Sequence, residues 1–213
     1  MYKQIDERIL KIEGFALSSP YGSGKSLGQP LGVKSIGLVK VYTDSGEYGL
    51  GETYSGVYAP ELIGPIVNFL ESYLIGGLVG DDLIFDGIKN MPFIGGSGIL
   101  QSVFSAIEIA IWDLRGKILE VPTSKLINKD SRESTPLHAS SGTVIFTTDE
   151  IIADAEDIQN LGYTAYKMRV GYQTWETDIK RVESARNTLG NNDLMVDAIM
   201  GTLRPAWTSE KAI

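Results

Sequence analysis

Short β-branched runs at residues 9–17 and 36–42, then the turn residues Asp44-Ser45-Gly46 before a third run at 47–52, predict an N-terminal antiparallel meander. The period then changes. Leu62, Ile63, Ile66, Val67, Leu70 and Leu74 recur at intervals of three and four, and Leu100, Val103, Phe104, Ile107, Ile111, Leu114 and Ile118 draw one apolar stripe across residues 98–119. Both patterns predict helices with a single buried face. Strands followed by helices predict an α+β first domain.

The polar stretch Asn128-Lys129-Asp130-Ser131-Arg132-Glu133-Ser134 predicts a boundary, giving domains at 1–133 and 134–213. Beyond it the pattern alternates. Residues 135–141 read as a strand; Thr147 with Glu150 forms a capping box for a helix ending near Gly162; residues 165–170 read as a strand, 174–189 as a helix stopped by Gly190, and 194–198 as a third strand. This repeat predicts a parallel β/α sheet or barrel. Thr208-Ser209-Glu210 reads as one more helix start with few residues after it. A closed barrel needs about eight strands and roughly 250 residues, so the expectation is an incomplete barrel belonging to a longer polypeptide, or a fragment. Unpaired sheet edges would favour a homo-oligomer.

Composition narrows the function. Hydrophobic residues make up 43% of the 213 positions, enough for a sizeable core. With 19 Lys+Arg against 27 Asp+Glu and a formal charge of −8, the chain lacks the basic footprint of a nucleic-acid binder. Charges sit where a signal peptide would place its apolar core, and no apolar run reaches membrane-spanning length; a cytoplasmic protein without membrane partners is expected. No cysteine is present, which removes disulfides and thiolate chemistry. The only histidine, His138, lies in a predicted strand and reads as structural rather than as part of a triad.

Three places carry candidate chemistry. The segment Tyr21-Gly22-Ser23-Gly24-Lys25-Ser26 ends like a phosphate loop, yet position 19 is Ser where that pattern needs Gly, and the residues after it are too rich in Gly and Pro to open a helix. A surface loop, or a lid whose Tyr21 and Lys25 contact an anionic substrate, fits better. Gly49-Leu50-Gly51-Glu52 runs into a Gly/Tyr-rich loop. Its glycines read as close backbone packing, Glu52 as a structural carboxylate, and Tyr54 and Tyr58 as candidate substrate contacts or ordinary surface residues. Lys167 and Arg169 are two apart on one predicted strand and therefore share a face, while Asp197 ends the next strand. Inward cations in a covered sheet need an anion: Asp197 can supply an internal salt bridge, or all three can face a substrate beside a hard cation such as Mg²⁺.

At these residues the chain resembles the enolase superfamily, in its mandelate racemase/muconate lactonizing enzyme group. The resemblance is carried, in order, by the meander with Gly49-Leu50-Gly51-Glu52, by the helix Ala106-Ile107-Glu108-Ile109-Ala110-Ile111-Trp112-Asp113-Leu114-Arg115-Gly116-Lys117, and by the Lys-x-Arg and Val-Asp-Ala motifs. It implies an α+β capping domain followed by a modified (β/α)₇β barrel, of which this chain holds the first β/α units. It also implies Mg²⁺ as cofactor and removal of the proton α to the carboxylate of a small substrate. By similarity, Asp197 matches the first metal ligand, Lys167 and Arg169 match a Lys-x-Lys pair, and residues 19–28 and 52–58 match loops that close over substrate.

Two departures stand out. Arg169 occupies the place of the usual base and stays protonated, so it is expected to clamp or polarise a carboxylate, leaving Lys167 or a residue on a later strand as base. Ile199 stands where the family often has Asn, two residues after the aspartate. The resulting expectation is a racemase, epimerase or acid-sugar dehydratase, with the 213-residue chain alone incompetent for catalysis. The alternative is a non-catalytic remnant acting as an oligomerising or binding module.

Overall fold

A computed structural model describes residues 4–20, 33–91, 96–199 and 206–212. Among these, the chain divides into two compact units, the first ending at Arg132 and the second beginning at Glu133.

In the first unit, β1 (Ile9–Pro20), β2 (Val33–Thr43) and β3 (Tyr48–Thr53) form an antiparallel sheet in that order. The meander is therefore real, with Gly46 at φ +93° closing the β2–β3 turn through a 3.1 Å bond to the Thr43 carbonyl. After two short 3₁₀ turns come α1 (Ile63–Glu71), α2 (Asp86–Lys89), α3 (Gly98–Leu119) and α4 (Thr123–Ile127). The apolar stripe of α3 is buried as its spacing predicts: Val103, Phe104, Ile107, Ile111 and Leu114 pack with Val39 and Val41 of β2 and with Val67 and Leu70 of α1. Fully burying a side chain of this size contributes about 1.5–3 kcal/mol. The helix expected over 62–74 stops at Glu71, and Leu74 stays buried just beyond its end.

Gly49 and Gly51 explain how β3 can lie on α3. A Cβ at either position would stand 1.9 Å from a helix carbonyl, that of Ala110 or of Ala106. Only glycine allows that approach. The outer edge of β3 is closed by the same helix: the Leu50 N–H donates to Asp113 Oδ2 at 2.9 Å, and Lys117 Nζ donates to the Tyr48 carbonyl at 3.0 Å. Asp113 and Lys117 also pair with each other at 2.6 Å. Two groups of an otherwise open edge are thereby occupied, which blocks pairing with another chain.

In the second unit, β4 (Ala139–Ser140), β5 (Ala165–Arg169) and β6 (Asp193–Asp197) form a parallel sheet in sequence order, with α5 (Thr148–Asn160) and α6 (Trp175–Leu189) as the crossovers. The Thr147–Glu150 capping box opens α5, and Thr174 caps α6 by accepting from the Thr177 N–H. Tyr166 and Met168 are fully buried against Ile151 and Ala155 of α5 and Ala185 and Leu189 of α6. The opposite face of β5, with Lys167 and Arg169, is half-buried. A last helix, α7 (Ser209–Ala212), begins where the Thr208-Ser209-Glu210 signal predicts.

The expected strand at 135–141 shrinks to two residues. Residues 132–138 are exposed, Leu137 by 71%, and Pro136 brings no N–H to a ladder. His138, read as structural, is likewise exposed. Among the described residues, no helix is long and apolar enough to cross a membrane.

Replacing Asp113 and Lys117 together by Ala should uncover the β3 edge. Self-association should then rise with protein concentration in sedimentation velocity, while the helical circular dichroism signal changes little.

Candidate active site

Period-two alternation and parallel register build the candidate site. Lys167 and Arg169 leave β5 on the face opposite to Tyr166 and Met168, and the register sets Lys167 beside Met195 and Arg169 beside Asp197. Lys167 Nζ lies 2.9 Å from Asp197 Oδ2, with both side chains about one-third exposed (33%). Asp197 Oδ1 accepts the Ile199 N–H at 2.9 Å. Donation from Lys167, then the Ile199 bond and the nearby charges, hold the Asp197 carboxyl below the usual carboxylate range against an opposing effect of burial. At the C-terminal end of this face two cations meet one carboxylate, while Asp193 lies at its other end beside Ala165.

The backbone beneath is fixed on both sides. The Ser141 N–H donates to the Lys167 carbonyl at 3.0 Å, the Arg169 N–H to the Gly142 carbonyl at 2.9 Å, and the Val170 N–H to the Asp197 carbonyl at 2.9 Å. Behind the sheet, Asp154 accepts from Ser141 Oγ at 2.7 Å, the Gly142 N–H at 2.9 Å and Tyr166 Oη at 2.5 Å. Burial first, and then this bond to Asp154, push the Tyr166 phenol far above its ordinary value, so it stays neutral. Sequence reasoning missed this network. The missed polar residue lies on α5, and nothing in its local pattern announces that it faces a buried tyrosine.

Ile199 adopts φ +43°, in the left-handed region that a β-branched side chain disfavours. Its N–H is turned onto Asp197, so the strained residue orients the carboxylate. Asn tolerates this conformation better than Ile.

The remaining candidates belong to the first unit or lie outside the described residues. Tyr54 and Tyr58 flank the first unit's 3₁₀ turn Tyr54–Val57; they are exposed by 66% and 56%, with rings 5.5 Å apart edge to face and hydroxyl oxygens 3.2 Å apart. Bonding to Tyr54 raises the Tyr58 phenol above its ordinary value. Glu52, read as a structural carboxylate, is exposed at the end of β3. Tyr21 and Lys25 lie outside the described residues.

Among the described residues, no three His, Cys, Asp or Glu side chains cluster so as to hold a metal ion. Asp197 is a single carboxylate with both oxygens already bonded, whereas hard cations gather several oxygens. These residues do not complete a Mg²⁺ site by themselves.

The N-terminal domain model of mandelate racemase/muconate lactonizing enzyme matches residues 29–128, and the enolase C-terminal domain-like model matches residues 150–213. L-talarate/galactarate dehydratase of Salmonella typhimurium LT2 is 27% identical over 96% of this chain and 52% of its own length. Muconate cycloisomerase 1-1 of Acinetobacter lwoffii is 30% identical over 84% of this chain and 47% of its own length. Among solved structures, a racemase from Streptomyces coelicolor A3(2) with bound magnesium has a TM-score of 0.82 at 25% identity, covering 96% of this chain and 57% of its own. The chain spans about half the length of the curated relatives it matches.

Because the Asp197 carboxyl is held low in the folded chain, its contribution to stability is present above the unfolded value and is lost as pH falls through the folded one. Between pH 6 and pH 3 the wild type should lose more stability to urea than Asp197→Asn does, by at most about 1 kcal/mol for so exposed a pair. Ile199→Asn should stabilise by about 1 kcal/mol through relief of the left-handed strain, read as a raised urea midpoint.

Proposed function

Since the chain belongs to the mandelate racemase/muconate lactonizing enzyme group of the enolase superfamily, we propose that Lys167, Arg169 and Asp197 form part of a site that binds a small hydroxylated carboxylate and assists removal of its α proton. Residues 1–133 and 134–213 are its capping part and the first part of its barrel. Relatives named as acid-sugar dehydratases and cycloisomerases, and a solved structure named as a racemase, support this class, with an acid sugar as substrate. The observation that carries the reading is the Lys167–Asp197 pair at 2.9 Å with Arg169 on the same face.

Each side chain then has a role set by its chemistry. Arg169 is a permanent cation with a planar fork of donors, suited to clamping a carboxylate through two parallel hydrogen bonds. Lys167 pairs with Asp197 at 2.9 Å, and an ammonium engaged in this way acts as a donor rather than a base. It raises the local positive potential and the acidity of a carboxylate's α carbon, while the base comes from another residue. Asp197 positions Lys167 and is the residue offered to Mg²⁺, the group that in this family supplies charge stabilisation to the carboxylate. Tyr54 and Tyr58, with Tyr21 and Lys25, are proposed as substrate contacts, their hydroxyl and ammonium groups suiting a polyhydroxylated acid.

A second reading applies to the 213-residue chain alone. One carboxylate among the described residues does not complete a Mg²⁺ site, and this supports a non-catalytic remnant acting as an oligomerising or binding module.

Calorimetric titration of the purified chain with galactarate should show weak binding without Mg²⁺, reduced about tenfold by Arg169→Met. Mg²⁺ alone should give no stoichiometric heat, and proton NMR in D₂O should show no exchange of the galactarate α hydrogen. Tight Mg²⁺ binding with α-hydrogen exchange would overturn the incompetent reading. Galactarate affinity that is absent, or indifferent to Arg169, would overturn the site itself.

A further inference from the structure

We infer that the buried pair Arg181–Asp178 on α6 is the positioning device of the strand ends, setting where the Lys167 and Arg169 side chains begin. The inference rests on the carboxylate site proposed above.

Arg181 is fully buried and Asp178 nearly so, at 0% and 4% exposure. Arg181 Nη1 donates to Asp178 Oδ1 at 2.7 Å and to the Arg169 carbonyl at 3.2 Å, while Nη2 donates to the Thr143 carbonyl at 2.7 Å. Asp178 Oδ2 accepts the Gly171 N–H at 2.8 Å. One guanidinium thus bridges the chain leaving β4 and the last residue of β5, and its partner carboxylate holds the turn two residues further on. That turn uses Gly171 at φ +103°, a conformation an L side chain avoids, so the segment needs external restraint.

Stability alone is a weak reason to place these charges here. A buried ion pair costs desolvation that an apolar pair of similar volume avoids. Moreover, Arg181 Nε has no hydrogen-bond partner among the described residues. What an apolar pair cannot do is reach two backbone acceptors on separate segments at once, which the planar fork of arginine does. The spacing of the pair, i and i+3 on one helical face, makes Asp178 and Arg181 a preassembled unit. They touch no substrate; they act through Arg169.

The test separates positioning from folding. In Asp178→Leu/Arg181→Met both charges go and apolar volume remains, so no buried charge is left unpaired. Hydrogen exchange is followed by NMR at the amides of Arg169 and Val170, which bond to Gly142 and Asp197 and not to the pair itself. The urea midpoint should stay near that of the wild type while these two amides exchange about tenfold faster than core amides of α5 in the same variant. Galactarate affinity should fall about tenfold as Arg169 loses its fixed origin. Unchanged exchange at both amides would overturn the inference and leave the pair a purely structural one. If the double variant fails to fold, Arg181→Lys serves instead: it keeps the charge but not the fork, and wild-type exchange at Arg169 would equally overturn the inference. Faster exchange in a chain whose wild type binds no galactarate would uphold the positioning and refute the carboxylate reading.

Discussion

The parallel register between β5 and β6 governs everything the second unit can do. It sets Arg169 opposite Asp197 and brings Lys167 within ion-pair distance of that carboxylate. A slip of one residue would turn Lys167 and Arg169 toward the helices and drive two unpaired charges among Ile151, Ala155 and Leu189, while Tyr166 would lose Asp154. The register is therefore enforced from both faces of the strand. Packing of Tyr166 and Met168 fixes one side, and solvation of the cations fixes the other.

Three acid–base pairs in this chain illustrate how burial changes what a charge is for. Lys167–Asp197 is one-third exposed, contributes little to stability, and keeps its groups available to a ligand. Asp113–Lys117 is also exposed, yet each partner additionally satisfies a main-chain group at the edge of β3, so its effect is on association more than on folding. Arg181–Asp178 is buried and bonded to the backbone on three sides, an arrangement that trades desolvation for geometry. Similar distances thus serve a site, an edge and a scaffold. Exposure distinguishes them; distance does not.

The carboxylate ligand proposed above suits the two cations at the strand ends, whereas the described residues there do not make up a metal site. The relatives are about twice as long as this chain, and one solved structure is described with bound magnesium. Here the described residues bring a single carboxylate, already shared between an ammonium and an amide N–H. Lys167 consequently stands where a cation would otherwise meet Asp197. An anion can bind such a face through Arg169 and Lys167, whereas a hard cation must first compete with Lys167.

What the sequence determined by itself is whatever depends on local period and local caps: the meander, the stripe of α3, the Thr147 capping box, the stop at Gly190, and the shared face of Lys167 and Arg169. These follow from alternation and from side chains within a few residues of the groups they satisfy. Local pattern also over-extended the strand before Ala139, where the residues are exposed and Pro136 brings no N–H to a ladder. The tertiary structure alone decided the roles of Gly49 and Gly51 against helix carbonyls, of Asp154 beneath Tyr166, of Arg181 between β5 and the loop after β4, and of Ile199 in its left-handed turn. Each of these depends on atoms brought together from separate elements, or on a backbone angle imposed by such contacts, and no periodicity along one strand or helix encodes that.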